Sequence, residues 1–245
     1  MSATTTLAAG MGMVSVTTPI RPSIKAVLFD AFPIFDARPV LAIAEKLFPG
    51  KGAELGNLWR TKQFEYQWLR ALSGNYANFW QTTEDSLVFA CAALKLELKT
   101  DARMQLMQAY LVLKAWPDVS VALSALKQAG VRLAFLSNMT KQMLDANIKS
   151  AGLDGMFEQV LSSDSIRSYK PDARVYQIGL DALQLKREEI LFAAFAGWDA
   201  AGAKTFGYPT FWVNRLQAPS EELGVVPDRV GKDLSELVSF VTHLR

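Results

Sequence analysis

Five side chains in this sequence have types and settings that chemistry can use. Asp30 ends the apolar run IKAVLFD, Ser137 and Asn138 end VRLAFLSN, and Asp199 ends ILFAAFAGWD. Lys170 lies in SYKPD, just ahead of a helical stretch. If the three runs are neighbouring strands, their carboxyl edge carries two carboxylates, a hydroxyl, an amide and an ammonium. That edge is where open α/β sheets bind ligands. A nearby cation keeps a carboxylate ionised. Such a set therefore suits attack by one acid and orientation by the other. Taken singly, each residue has a plainer reading: Asp, Ser and Asn are common in caps and turns, and a lone lysine is usually solvated.

The chain offers little for other chemistries. Its single cysteine, Cys91, sits in the apolar stretch VFACAAL and reads as buried packing. One cysteine excludes a disulfide within the chain and suits a reducing compartment. The single histidine, His243, lies almost at the end. That placement disfavours a Ser-His-Asp or Cys-His mechanism and a histidine-bound metal.

The elements that must position these residues follow from periodicity. Ile24–Phe29 mixes β-branched and aromatic residues and predicts a buried strand running into Asp30. Asp36 is followed by a long stretch of helical character: Pro39–Phe48, Leu55–Leu72, Phe79–Leu96 and Asp101–Leu113, with Lys99-Thr100 expected to cap the last. Four helices with short links predict a bundle inserted after the first strand and ended by Trp116-Pro117. Strands and helices then alternate. Val119–Ala129, Gln142–Ala151, Ala173–Leu183 and Leu234–His243 read as helices. Val131–Leu136, Phe157–Leu161, Ile190–Phe195 and Thr210–Val213 read as strands. Alternation of this kind predicts an α/β fold with a parallel, Rossmann-like sheet. The expected organisation is a mobile tail over 1–22, a core of 23–36 and 116–245, and a helical cap over 37–115.

With 245 residues, half of them apolar and a fifth charged, the chain has the balance of an ordinary globular protein. Its net charge of +2 comes from interspersed signs. That pattern gives no nucleic-acid stripe and no polybasic membrane patch. The N-terminal apolar patch LAAGMGMVSV has no preceding lysine or arginine, unlike a signal peptide. It is also too short to span a bilayer. A cytoplasmic protein with a small-molecule partner is expected.

The order Asp30, Ser137-Asn138, Lys170, Asp199 resembles the haloacid dehalogenase superfamily. WRTKQFEYQWLRALSGNYANFW, LAFLSN, SYKPDARVY and AGWDAAGAKTFGYPTFWVNR look, more narrowly, like a type II L-2-haloacid dehalogenase. The resemblance runs from Lys25 to Arg215. It implies a Rossmann-like core under a helical cap, no cofactor, and often a homodimer. It also implies roles. Asp30 would be the nucleophile that forms an ester with the substrate. Arg60 would receive the departing halide. Ser137 and Asn138 would bind the substrate carboxylate. Lys170 would hold Asp30 ionised, and Tyr176 would support the lysine. Asp199 would orient Lys170 and the water that opens the ester. Phe32, Phe79 and Trp198 fall among the substrate- and halide-binding walls.

The chain departs from that pattern in two places. Asp-x-Tyr-Gly-Thr-Leu-x-Asp becomes DAFPIFD, one residue shorter, with Phe32 for the tyrosine and the Gly-Thr pair lost around Pro33. Ser-x-Asn-x-Trp-Asp becomes AFAGWD, with Ala194 and Ala196 for the serine and asparagine. Two readings compete: an enzyme with more apolar walls, or a protein that binds a small carboxylate without turnover. A phosphatase of the same superfamily is disfavoured. It would carry an acid where Phe32 stands and another near Ala194 and Ala196 to help bind Mg²⁺.

Overall fold

A computed structural model of the chain describes residues 23–243. In chain order the elements are β1 (Ala26–Phe29), β2 (Phe35–Asp36), α1 (Arg38–Leu47), α2 (Gly52–Leu72), α3 (Phe79–Ala93) and α4 (Thr100–Ala109). Next come β3 (Lys114–Ala115), α5 (Val119–Gln128), β4 (Arg132–Ser137), α6 (Lys141–Ser150), β5 (Gln159–Ser162) and α7 (Ala173–Leu183). The chain closes with β6 (Ile190–Ala194), α8 (Gly197–Phe206), β7 (Thr210–Val213), β8 (Arg229–Gly231) and α9 (Leu234–His243).

Six strands form a sheet in the order β5-β4-β1-β6-β7-β8, every pairing parallel. All four residues of β1 are buried because it lies between β4 and β6. Alternate side chains point to opposite faces. Val27 and Phe29 join one apolar layer and Ala26 and Leu28 the other. The first layer also takes Leu123 and Leu126 of α5, Met143 and Leu144 of α6, and Leu237 and Val241 of α9. The second takes Val175 and Tyr176 of α7 and Ala200 and Ala203 of α8. Because β4 and β6 continue the sheet in opposite directions from β1, the carboxyl end of β1 is a topological switch point. Asp30 is the next residue.

Helices α1 to α4 leave and rejoin the core through a two-stranded ribbon, in which β2 and β3 pair antiparallel with Phe35 opposite Ala115. Their apolar residues, among them Leu55, Trp59, Phe79, Leu87 and Leu106, extend the first layer over the sheet edge. No helix among the described residues is long and apolar enough to cross a membrane.

Several expected boundaries move, each for a local reason. The predicted tail lies outside the described residues. β1 starts at Ala26, not Ile24. α3 stops at Ala93: Lys95 turns left-handed (φ 56°), and the Lys95 and Leu96 amides donate to Ala92 and Cys91, a Schellman ending. Thr100 caps nothing; it is the first residue of α4, and Lys99 at the cap makes no side-chain bond. α4 ends at Ala109, because the chain must reach the ribbon. The β2–β3 ribbon and β8 carry no periodic signal, being two and three residues long. Gly130 does end α5 as expected: it has φ 71°, and the Val131 amide closes back on Leu126 at 3.0 Å.

Candidate active site

The strand ends converge on Lys170. Asp30 follows β1 and anchors its backbone N–H on the Ala193 carbonyl at 3.0 Å. Lys170 Nζ donates to Asp30 Oδ1 at 2.8 Å and to Asp199 Oδ2 at 2.6 Å. It also donates to the Leu136 carbonyl at 3.3 Å. All three protons of the ammonium are thus engaged, and the side chain is 1% exposed. Asp199 stands in the first turn of α8, one step beyond the strand end that the sequence suggests. Its Oδ1 accepts from Tyr176 Oη at 2.8 Å. Gly202 permits this approach, since a Cβ there would stand 2.5 Å from Tyr176 Oη and 2.7 Å from Pro171.

Asp30 Oδ2 is held less firmly, by the Phe32 N–H at 3.3 Å. Ser137 Oγ lies 3.5 Å from Oδ1, at the edge of hydrogen-bond range, and accepts from Met139 N–H at 3.2 Å. Asn138 uses both ends of its amide. Its Oδ1 accepts from Lys170 N–H at 2.9 Å, and its Nδ2 donates to Gln67 Oε1 of α2 at 2.9 Å. It therefore ties the sheet edge to the helical insertion.

The electrostatics follow from this burial. Desolvation pushes Asp199 up to about 6, with the Lys170 ammonium opposing and Asp30 adding to the rise. Burial pulls Lys170 down, but Asp199 and Asp30 outweigh it and leave its pKa above the ordinary lysine value. Burial, with Asp199 alongside, holds the Tyr176 hydroxyl well above the usual range. Lys170 is thus a fixed cation at neutral pH, and the hydroxyl stays a donor to Asp199.

Above Asp30 lies a narrow cavity of about 20 Å³, room for about one water-sized molecule. Asp30, Ser137, Asn138, Lys170 and Asp199 form its floor, and Phe32, Phe79, Trp198 and Arg60 form its walls. One side is shut by aromatics: Trp198 meets Phe64 and Trp68 edge-on, with centroids 5.5 and 5.4 Å apart. Trp68 Nε1–H donates to the Lys170 carbonyl at 3.2 Å.

Every candidate catalytic or binding residue named from the sequence lines this one cavity except Tyr176, which stands behind Asp199. Ala196, at the place where the pattern has an asparagine, lines it too, and so do Phe64, Gln67 and Phe195, which were not anticipated. Phe64 and Gln67 lie four and seven residues after Arg60, on the same helical face, so periodicity carried a signal for them. Phe195 carried none, because it reads as the last residue of a strand; β6 ends at Ala194 and releases it into the cavity wall. Cys91 is buried, its thiol pushed up to about 11 by desolvation. His243 lies in the last turn of α9, bonded to the Ser239 carbonyl.

The residues present suit a divalent metal poorly. No group of three or more His, Cys, Asp or Glu side chains gathers among the described residues. Each oxygen of Asp199 already accepts one hydrogen bond, from Lys170 and from Tyr176.

A family model for haloacid dehalogenase-like hydrolases matches residues 13–207. The chain is 45% identical over 206 residues to an (S)-2-haloacid dehalogenase of Pseudomonas sp. (strain YL), covering 84% of this chain and 89% of the relative. Among solved structures, an L-2-haloacid dehalogenase superposes with a TM-score of 0.88 at 44% identity, covering 90% of this chain and 99% of that one. The L-2-haloacid dehalogenase of Xanthobacter autotrophicus with chloropropionic acid covalently bound superposes with a TM-score of 0.84 at 34% identity, over 91% and 100% of the two chains.

Proposed function

Since the chain belongs to the haloacid dehalogenase-like hydrolases, we propose that it hydrolyses short L-2-haloalkanoates to D-2-hydroxyacids and halide. Asp30 attacks the halogen-bearing carbon from its back face, forming a carbon–oxygen bond as the carbon–halogen bond breaks. The halide leaves with the bonding pair, towards Arg60. A water then adds to the ester carbonyl of Asp30 and passes its proton towards Asp199. The hydroxyacid departs with an oxygen that began on Asp30.

The observation that carries this reading is the Asp30–Lys170–Asp199 chain of short contacts at the floor of a narrow, mostly apolar cavity. Asp30 Oδ2 is the less engaged oxygen and has the electron pair to give. Removing bulk water from a carboxylate and holding the carbon in line both lower the barrier to displacement. Ser137 Oγ and the nearby backbone amides serve the substrate carboxylate, while Asn138 steadies the closed form. Helices α1 to α4 act as the cap over the core. The narrow cavity is too small for a haloacid and a water together, so the cap must lift for binding and release.

Displacement of halide develops no phosphoryl charge, and Phe32, Ala194 and Ala196 withhold the oxygen ligands Mg²⁺ would need. We read the enzyme as metal-independent. The lone buried cysteine is in keeping with a cytoplasmic enzyme, and a homodimer is the assembly that the resemblance implies.

Halide release from L- and D-2-chloropropionate and from haloacetates tests the proposal. Release from the L isomer and the haloacetates, unaffected by EDTA, is expected. Folded protein silent on the whole panel would leave a binding protein instead. In heavy-oxygen water, the first turnover should yield hydroxyacid carrying ordinary oxygen from Asp30.

A further inference from the structure

Arg60 is held in an unusual way for a half-buried arginine. Its guanidinium carbon lies 5.4, 5.9 and 6.0 Å from the ring centroids of Phe64, Phe195 and Phe32. Phe64 comes from the same helix face. Phe32 comes from the turn after β1 and Phe195 from the first residue after β6. Those two core rings touch, with centroids 5.9 Å apart and planes tilted by 52°. The Phe195 backbone is itself pinned, because its carbonyl accepts Trp212 Nε1–H at 2.9 Å.

Among the described residues, no carboxylate lies within ion-pair distance of the Arg60 guanidinium, and the guanidinium makes no hydrogen bond. Arg38 and Arg215, near the same face, are each held by an acid: Asp36 at 2.7 Å and Asp118 at 3.0 Å. Rings attract a cation through their faces, and a guanidinium so held keeps its N–H edges unspent. Phe32, Arg60 and Phe195 also line an outer cleft of about 230 Å³. They are the partition between that cleft and the cavity holding Asp30.

We propose that Phe195 is a positioning residue for Arg60. Together with Phe32 it seats the guanidinium among rings, where hydrogen-bond partners would otherwise hold it, and so reserves the donors for the halide leaving the carbon. This rests on the dehalogenation reading. It places the effect of the apolar AFAGWD turn on the leaving group and not on the nucleophile.

The test compares Phe195→Leu, which keeps an apolar side chain without the ring, with Phe195→Tyr, which keeps the ring. Chloride binding, read by broadening of the chloride magnetic-resonance line, needs no turnover. Ester formation and ester breakdown are timed separately by rapid quench. In Phe195→Leu, chloride binding should weaken and ester formation should slow, each about tenfold or more, with ester breakdown unchanged. Phe195→Tyr should stay within about threefold of the parent. Phe32→Leu removes the other core ring and should behave like Phe195→Leu. Unchanged chloride binding in a folded Phe195→Leu protein would overturn the proposal. So would a parent that binds no chloride, or equal slowing of both steps. A parent that binds chloride but releases no halide from any haloacid defeats the dehalogenation reading alone, and the chloride comparison still judges the seat.

Discussion

The two ends of the cavity are built on opposite principles. At the floor, Lys170 spends every proton on Asp30, Asp199 and the Leu136 carbonyl, and Asp199 spends its other oxygen on Tyr176. At the wall, the Arg60 guanidinium lies within 6.0 Å of three ring centroids and, among the described residues, makes no ion pair or hydrogen bond. The floor is electrostatically closed, which suits a group that must stay ionised and aimed. The wall is open, which suits a charge that arrives only as the bond breaks. Stabilisation that exists only then accelerates the reaction most.

The comparison breaks first at the floor. Asp30→Asn should cut halide release by more than about a thousandfold, as loss of a nucleophile does; a variant with full activity removes Asp30 from its role. Lys170→Met should abolish release as well and, by leaving two facing buried carboxylates without their cation, lower stability by about 3–5 kcal/mol. Urea unfolding of the variant measures that cost. Arg60→Gln should contrast with it. Ester formation should fall about a hundredfold, with the unfolding midpoint little changed, because no ion pair is lost. If both variants destabilise alike, the two ends are not built differently.

A finer test is pH. Asp199, pushed up to about 6 by burial, must be ionised to accept a proton from water. In the ester Asp30 carries no charge and its share of that rise is gone, so ester breakdown should fall as pH drops through a value below about 6. The Tyr176 hydrogen bond favours the anion and lowers that value, so Tyr176→Phe should move the acid limb upward. A limb that stays in place would detach Asp199 from the step. Gly202→Ala should move it in the same direction, by crowding Tyr176 Oη away.

How much of this was legible in the chain follows the same division. The floor is written in strand ends: Asp30 and Ser137 follow or end buried runs, and Lys170 precedes a proline-started helix, so type and position were both readable. Asp199 was readable as a residue but not as a helical one, since the small residues of AFAGWDAAGA do not show where a strand yields to a helix. The wall depends on contacts between elements far apart in sequence. Phe32 and Phe195 come together only because β1 and β6 are neighbours in the sheet, which no local pattern states. The ribbon of Phe35–Asp36 with Lys114–Ala115 is hidden for the same reason.

The smallest expected effect concerns the seam between the two ends. Trp68 reaches from α2 to donate to the Lys170 carbonyl, while its ring packs on Phe64 and Trp198. Trp68→Phe keeps most of the ring contact and deletes one hydrogen bond, worth about 0.5–1.5 kcal/mol. If the cap lifts as proposed, that bond is made on closure, before the carbon–halogen bond breaks. Its loss therefore weakens substrate and transition state equally, so KM should rise by about two- to tenfold with the rate of ester formation at saturation unchanged. If kcat falls instead and KM holds, the indole N–H is steadying Lys170 during the reaction. The seam would then belong to the locked floor and not to the cap that closes over it.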